Sequence, residues 1–284
     1  MTSNCRDFSQ SEGNCQQALV NEVIGKLGAT LLGYDLQVVG HNQMFGDPVN
    51  PGISGTTALK DLKTKVEEDG FGIIQNCLDE STVQQLCGEF DDAQYPQRNL
   101  LSIPSIRRLA IARSVREIIE TVLGSECFAV KAIFFNKTRS SNWKVVWHQD
   151  LTIAVRERSH VDGFGPWTIK NGVVHVQPPA EIMKEMLAIR LHLDESALDN
   201  GPLRVITGSH TKGRLSREQI ASWGKQDFLT CTVARGGALV MRPLLLHASS
   251  ACVVPKSRRV IHVEFAAVEL PSPLEWHDKL ESTT

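Results

Sequence analysis

The sequence lacks the features of a secreted, membrane or nucleic-acid-binding protein. Its seven cysteines are odd in number and widely spread, and no two form a C-x-x-C pair, which argues against a disulfide framework or a zinc knuckle. No apolar run approaches a membrane span, and the polar residues 1–17 do not resemble a signal peptide. The 30 basic and 32 acidic side chains include no dense Lys/Arg run. We therefore expect a cytoplasmic protein that binds neither nucleic acid nor a membrane.

The composition is that of a globular protein, with 42% apolar and 22% charged residues over 284 positions. Residues 1–57 read as an N-terminal extension with a loose tail, one helix at 16–32 and an irregular connector rich in Gly, Pro and Asn. Residues 58–284 form the predicted main domain. Its first half carries helical patterns, one of which begins at a predicted capping box, Ser81 to Gln84.

The second half of the chain has a different pattern, with short apolar runs separated by Gly, Pro and Asn turns. Such runs occur at 187–193, 203–206, 229–233, 238–241, 244–247 and 260–268. The recurrence of such short runs favours a double-sheet jelly roll over β-α-β units. The predicted fold class is mainly β with flanking helices, in which a double-stranded β-helix of the jelly-roll or cupin type has the N-terminal helices packed outside.

An H-x-D pattern at His148 and Asp150 lies in a β-rich stretch, and His247 follows far downstream. Residues two apart in a strand project to the same side, so His148 and Asp150 would converge on one point. Two imidazoles and one carboxylate form the facial triad of non-haem Fe(II) oxygenases. A lone H-x-D also arises by chance, as a surface His beside a solvated Asp.

Four stretches together resemble the phytanoyl-CoA dioxygenase family of Fe(II)- and 2-oxoglutarate-dependent oxygenases. They begin at Asn136-Lys137, which leads to Trp147-His148-Gln149-Asp150, and continue with 187–194, the Asn200-Gly201 turn into its strand, and 247–265. The resemblance implies iron held by His148, Asp150 and His247. It also implies 2-oxoglutarate held by Arg258, eleven residues past the second histidine, and by Ser249. A one-residue error in register would exchange Arg258 with Arg259.

Three further residues are weaker candidates for the cosubstrate or substrate pocket. Arg190 stands where some relatives carry a Trp, and a buried Arg requires an anionic partner. That partner is an acid such as Glu264, the 2-oxoglutarate or an acidic group on the substrate. Lys131 and Asn136 precede the H-x-D on a predicted strand.

The sequence thus predicts an Fe(II)- and 2-oxoglutarate-dependent dioxygenase that uses dioxygen to hydroxylate a small organic substrate. Arg190 is a weak indication that this substrate is anionic. The alternative is a jelly-roll binding protein that is non-catalytic or holds another metal, because Zn or Ni fits the same ligands. A cupin-type dioxygenase without 2-oxoglutarate is a third reading. The sequence identifies neither the substrate nor the oligomeric state.

Overall fold

The computed structural model describes residues 56–91, 96–138, 142–253 and 257–281. The predicted N-terminal extension lies outside the described residues except for its last two positions. Within the described ranges, no helix is both long and apolar enough to cross a membrane. The five cysteines that fall in these ranges are free thiols.

Helices dominate the first part of the described chain and strands the second. The helices are α1 (Thr56–Glu68), α2 (Glu80–Glu89), α3 (Pro104–Ile111), α4 (Arg113–Leu123), α5 (Ala180–Lys184) and α6 (Arg217–Trp223). The predicted capping box at Ser81 is wrong, because the N-cap of α2 lies two residues earlier, at Asp79. The Asp79 carboxylate accepts a hydrogen bond from the Thr82 amide at 2.8 Å and another from the Ser81 hydroxyl at 2.6 Å.

Thirteen strands form three antiparallel sheets in the described residues. They are β1 (Phe71–Ile74), β2 (Gln97–Arg98), β3 (Phe128–Lys137), β4 (Val145–His148), β5 (Ile153–Val155), β6 (Trp167–Lys170), β7 (Val173–Val176), β8 (Met186–His192), β9 (Leu203–Val205), β10 (Leu229–Cys231), β11 (Ala238–Met241), β12 (His247–Ser249) and β13 (Arg258–Ala266). The six-stranded sheet has the order β1-β11-β8-β13-β3-β2, and the four-stranded sheet has the order β10-β9-β12-β4. This arrangement confirms the predicted fold class.

The two faces of the six-stranded sheet have different partners. On one face, alternate residues of β13, namely Ile261, Val263 and Phe265, pack into a large apolar core with buried side chains of the helices, including Val115 and Ile119 of α4. Alternation places Arg258, His262 and Glu264 on the opposite face, where they line a cavity. The helices therefore stabilise one side of the sheet and leave the other side available for a ligand.

A third, three-stranded sheet, with the order β5-β7-β6, occupies the segment between Asp150 and β8. One of its faces belongs to a second apolar core through Ile153, Val155 and Val176. Thr152, just before β5, and Lys170 of β6 line the same cavity as β13. This insert therefore contributes one wall of the cavity.

Candidate active site

The pairing of β4 with β12 brings together two histidines that are far apart in the sequence. His148 and His247 are direct partners in this antiparallel register, and their ring centroids lie 4.2 Å apart. The register shifts between His247 and Ser249, so the strand is irregular just beyond this pair. Both rings project from the four-stranded sheet toward the cavity, which they help to line.

Backbone carbonyls fix the orientation of both imidazoles. Nδ1 of His148 lies 2.9 Å from the Val146 carbonyl, and Nδ1 of His247 lies 2.8 Å from the Leu245 carbonyl. A carbonyl oxygen only accepts hydrogen bonds, so each Nδ1 carries the proton and donates it. Each Nε2 is left with its lone pair, which is the arrangement that protein metal sites use to orient histidine ligands.

Asp150 completes the group. Its carboxylate oxygens lie 4.0 Å from His148 Nε2 and 3.8 Å from His247 Nε2, and one ligand atom from each residue lies within 4.8 Å of the others. Burial lowers the pKa of His247 to about 4, so this ring is neutral at pH 7. Burial also acts to raise the pKa of Asp150, but the surrounding His247, His262 and His148 outweigh it and the pKa is lowered. Neutral imidazoles with an ionised carboxylate are the protonation states that an iron ion requires of these ligands.

The residue between the two ligands of the H-x-D pattern anchors the turn that presents them. The Gln149 amide nitrogen donates to the carbonyls of Gly213 at 2.8 Å and Leu244 at 2.7 Å, and its oxygen accepts from the Leu215 amide at 2.8 Å. The side chain is buried, so these bonds satisfy it fully. Gln149 is therefore a positioning residue for the ligands on either side.

A cavity of about 230 Å³ opens beside the three ligands. Six cationic side chains and two carboxylates are among its lining residues, which include Arg98, Lys131, Lys137, Lys170, Arg190, Arg258, Asp150 and Glu264. The cavity thus has a strong excess of positive charge.

Arg258 and Lys137 lie side by side at one end of this cavity, because they are partners in the β13–β3 register. Lys137 Nζ donates to the Ser249 hydroxyl at 3.0 Å and to the Ser250 carbonyl at 2.6 Å, and Arg258 donates to the Gly201 carbonyl. Arg258 Nε is buried without a hydrogen-bond partner among the described residues. Burial lowers the pKa of Lys137 to about 8 and that of Arg258 to about 10. Repulsion from a neighbouring cation adds to each shift, from Arg258 on Lys137 and from Arg190 on Arg258.

The turn at Gly201 makes this close packing possible. Gly201 has φ of +70°, and a Cβ built there would lie 2.5 Å from the Ser250 carbonyl and 3.3 Å from Lys137 Nζ. Any larger residue would both strain the backbone and displace the lysine. The glycine at this turn therefore allows the backbone to pack closely against Ser250 and Lys137 at the cationic end of the cavity.

The partner of Arg190 is not the acid proposed from the sequence. Glu264 forms an ion pair with Lys131 at 2.5 Å and lies 3.3 Å from His262. Arg190 instead lies 3.3 Å from His262 Nδ1 and over the Phe135 ring at 5.3 Å. Arg259, on the other face of β13, pairs with Asp194, so it belongs to the helix side.

The structure brings Lys131 to the cavity but does not bring Asn136 there. Lys131, Ile133, Phe135 and Lys137 line the cavity as alternate residues of β3. Asn136 has the opposite parity, and it pairs in register with Arg259. Two residues five apart in a strand face opposite sides, so Lys131 and Asn136 cannot both face the cavity. Lys137 lies six residues past Lys131, so strand alternation places it on the same side as Lys131.

A family model matches the chain over more than half of its length. Residues 98–260 match the model described as phytanoyl-CoA dioxygenase (PhyH). The chain belongs to the phytanoyl-CoA dioxygenase family. Membership confirms the predicted resemblance and enzyme class, a non-haem iron oxygenase that depends on 2-oxoglutarate and dioxygen. A search of curated proteins found no match.

Several solved structures share the fold. EctD from S. alaskensis, in its apoform, has 18% identity and a TM-score of 0.58, with 86% of this chain and 89% of that one covered. SnoK, a non-heme alpha ketoglutarate dependent carbocyclase from nogalamycin biosynthesis, has 14% identity and a TM-score of 0.57, covering 73% and 83%. HygX from Streptomyces hygroscopicus with nickel and 2-oxoglutarate bound has 15% identity and a TM-score of 0.54, covering 72% and 85%. At these identities the likeness is one of fold.

Proposed function

We propose that this member of the phytanoyl-CoA dioxygenase family hydroxylates a small organic substrate and releases succinate and carbon dioxide. The observation that supports this most directly is the convergence of His148, Asp150 and His247 beside a cavity rich in cations. We assign the activity to the domain that begins at residue 58.

In this proposal, His148 Nε2, His247 Nε2 and an Asp150 carboxylate oxygen hold Fe(II). The donor set fits the metal, because two neutral imidazoles and one carboxylate are the ligands of non-haem Fe(II) oxygenases. Bound iron and 2-oxoglutarate supply the oxidant from dioxygen. The protein holds the imidazoles in place through the Val146 and Leu245 carbonyls.

Arg258 and Ser249 bind the distal carboxylate of 2-oxoglutarate, and Lys137 supports them. The guanidinium fork suits a carboxylate, and its buried Nε has a hydrogen-bonding position to fill. Lys137 already donates to the Ser249 hydroxyl, which leaves that hydroxyl's own proton for the carboxylate. Arg190 and Lys131 lie on the same cavity wall and contribute positive potential toward the cosubstrate or the substrate.

The cavity is small for the drug-sized ligands that occupy pockets of roughly 300–1,000 Å³, so a compact substrate fits best. Because 2-oxoglutarate accounts for part of the positive charge, the remaining cations favour a substrate with an anionic group. HygX has been crystallised with hygromycin B bound, so this fold accepts small-molecule substrates.

The test is an anaerobic titration of metal-free protein with Fe(II) and then 2-oxoglutarate, followed through the weak visible charge-transfer band of the chelated keto acid. We expect the band in the wild type and its loss in His148→Ala and Asp150→Ala, together with 2-oxoglutarate-dependent succinate release. His160→Ala is the matched control, because this histidine is fully exposed outside the cavity.

Two outcomes would contradict the proposal. Succinate release retained in Asp150→Ala would show that the carboxylate is not needed as a ligand. Tight iron binding without any band in the wild type would favour the binding protein that holds a metal without oxygen chemistry.

A further inference from the structure

The positive charge of the cavity exceeds what iron and 2-oxoglutarate require. Of its two carboxylates, Asp150 belongs to the triad and Glu264 is paired with Lys131 at 2.5 Å. The dianionic cosubstrate would engage Arg258 with Lys137 at one end. Arg98, Lys170 and Arg190 then remain as cavity cations without a carboxylate in ion-pair distance among the described residues.

Arg98 and Lys170 reach the cavity from two elements that are separate in sequence. Arg98 lies on the two-residue strand β2, opposite Ile133 of β3, at the edge of the six-stranded sheet. Lys170 is the last residue of β6 in the three-stranded insert. Their presence in one cavity lining therefore results from tertiary packing of the insert beside the large sheet.

Lys170 is held in place by a hydroxyl rather than by an acid. Its Nζ donates to the Thr152 hydroxyl at 2.9 Å, and Thr152 lies two residues past Asp150 and also lines the cavity. An ammonium has three donors, so two remain for a ligand. Thr152 thus links the orientation of Lys170 to the segment that carries the candidate iron ligand.

The cations at this side of the cavity destabilise one another. The pKa of Lys170 is lowered by burial and then by the nearby Lys131 and Arg98. Glu264 and Asp150 act in the opposite sense, but neither forms an ion pair with Lys170, and the net shift is downward. Grouping half-buried charges of one sign is unfavourable, and such arrangements cluster at functional sites. The attraction of a bound anion would offset both the repulsion and the cost of burial.

We propose that Arg98 and Lys170 bind the anionic group of the substrate, a carboxylate or a phosphate, at the wall of the cavity formed by β2 and β6. This inference rests on the proposed function, because it assumes that 2-oxoglutarate takes Arg258. The substrate would be a small organic acid, oriented so that its uncharged part points to the triad while its acidic group lies between the two strands.

The experiment uses protein loaded with Ni(II) and saturated with 2-oxoglutarate, titrated with inorganic phosphate and separately with acetate in a calorimeter. We expect saturable binding of phosphate to the wild type. In the double variant Arg98→Gln/Lys170→Gln, the Kd for phosphate should rise at least about tenfold, because two charged donors are removed. The ratio of phosphate to acetate affinity indicates which acidic group the site prefers.

The control is Lys212→Gln/Arg217→Gln, which removes the same charge from exposed positions outside the cavity. The affinity for 2-oxoglutarate is measured first in every variant and should not change, which shows that each is folded and keeps the clamp. A wild type that fails to bind 2-oxoglutarate contradicts the proposed function. A wild type that binds 2-oxoglutarate but neither phosphate nor acetate, or a double variant that binds both anions as tightly as the wild type, contradicts the anion subsite.

Discussion

Two adjacent arginines on β13 show how differently the two faces of one strand are used. Arg259 faces the helices and is fully paired: its Nε and Nη2 donate to the Asp194 carboxylate at 2.8 and 2.9 Å, and its backbone amide donates to the same group at 2.9 Å. Arg258 faces the cavity, where among the described residues its guanidinium donates to the Gly201 carbonyl alone and its Nε has no partner. The residues are chemically identical, and only their parity in the strand differs.

The comparison distinguishes a charged side chain that is paired within the protein from charged side chains that are available to a bound ligand. Arg259, whose role is structural, has its own carboxylate in Asp194, because an unpaired buried charge is costly. On the cavity face the protein leaves Arg258, Arg190 and Lys137 without one in the described residues. In the proposed function, the 2-oxoglutarate and the substrate supply the missing counter-charges.

The largest expected effect that separates the two faces is on cosubstrate affinity. Arg258→Ala should weaken 2-oxoglutarate binding roughly 100-fold, since it removes two charge-assisted hydrogen bonds worth about 1.5 kcal/mol each. Arg259→Ala should leave the affinity within about twofold. Titration of the visible band of the Fe(II) complex measures both, and equal losses in the two variants would mean that the parity assignment is wrong.

The next largest effect is on stability, where we expect the larger loss in the Arg259 variant rather than in the Arg258 variant. Arg259→Ala leaves the partly buried Asp194 without its main partner, so the free energy of unfolding should fall by about 2 kcal/mol. Arg258→Ala relieves repulsion among cavity cations and should cost less. Urea unfolding of both variants without iron or 2-oxoglutarate provides the comparison, and a larger loss in Arg258→Ala would contradict it.

The smallest effect is a pH dependence carried by Lys137. Burial, followed by repulsion from Arg258, lowers its pKa to about 8, so the lysine loses its proton as the pH rises through that value. Binding of a dianion favours the charged form, and the affinity for 2-oxoglutarate should therefore fall above pH 8, by at most about tenfold per pH unit. Lys137→Met should bind more weakly at pH 7 and lack this part of the slope. A Ni(II)-loaded titration between pH 7 and 9.5 tests it, and identical slopes would exclude the lysine.

The same lysine affects stability in the opposite direction. Its pKa in the folded protein lies below the 10.5 of a free lysine, so between about pH 8 and 10.5 the unfolded chain binds more protons than the folded one. The contribution of Lys137 to the free energy of unfolding therefore rises with pH in this window. Above pH 8, the affinity of the wild type for 2-oxoglutarate should therefore fall while the free energy of unfolding of its apoprotein rises. Both changes should be smaller in Lys137→Met.

The sequence predicted the parts of this molecule that are encoded locally. Apolar runs and turn residues predicted strands close to β8–β11 and β13, whereas the run at 244–247 overlaps β12 only at His247. The H-x-D spacing predicted that His148 and Asp150 converge on one point. The family resemblance distinguished Arg258 from Arg259, because it implies an arginine eleven residues past His247. Strand alternation then predicted that the two arginines face opposite sides, since a single sequence carries the period of two.

The parts that escaped prediction depend on contacts between distant segments. Arg98 lies on a strand of two residues, too short to carry a pattern, and Lys170 belongs to an insert whose strands were not recognised. The role of Gln149 results from carbonyls at Gly213 and Leu244, which no spacing relates to it. The pairing of Arg259 with Asp194 likewise could not be predicted from the sequence, because the two residues lie on segments distant in sequence.

If the proposed anion subsite is correct, the three-stranded insert that carries Lys170 and Thr152 contributes to substrate choice without supplying a candidate iron ligand. The iron ligands and the proposed cosubstrate clamp all come from the two large sheets or the residues just past them, whereas one wall of the substrate side comes from β5–β7. Exchange of this segment between relatives would change what is oxidised while leaving intact the machinery that oxidises it. The insert is accordingly the place at which an evolving or engineered lineage could acquire a new substrate.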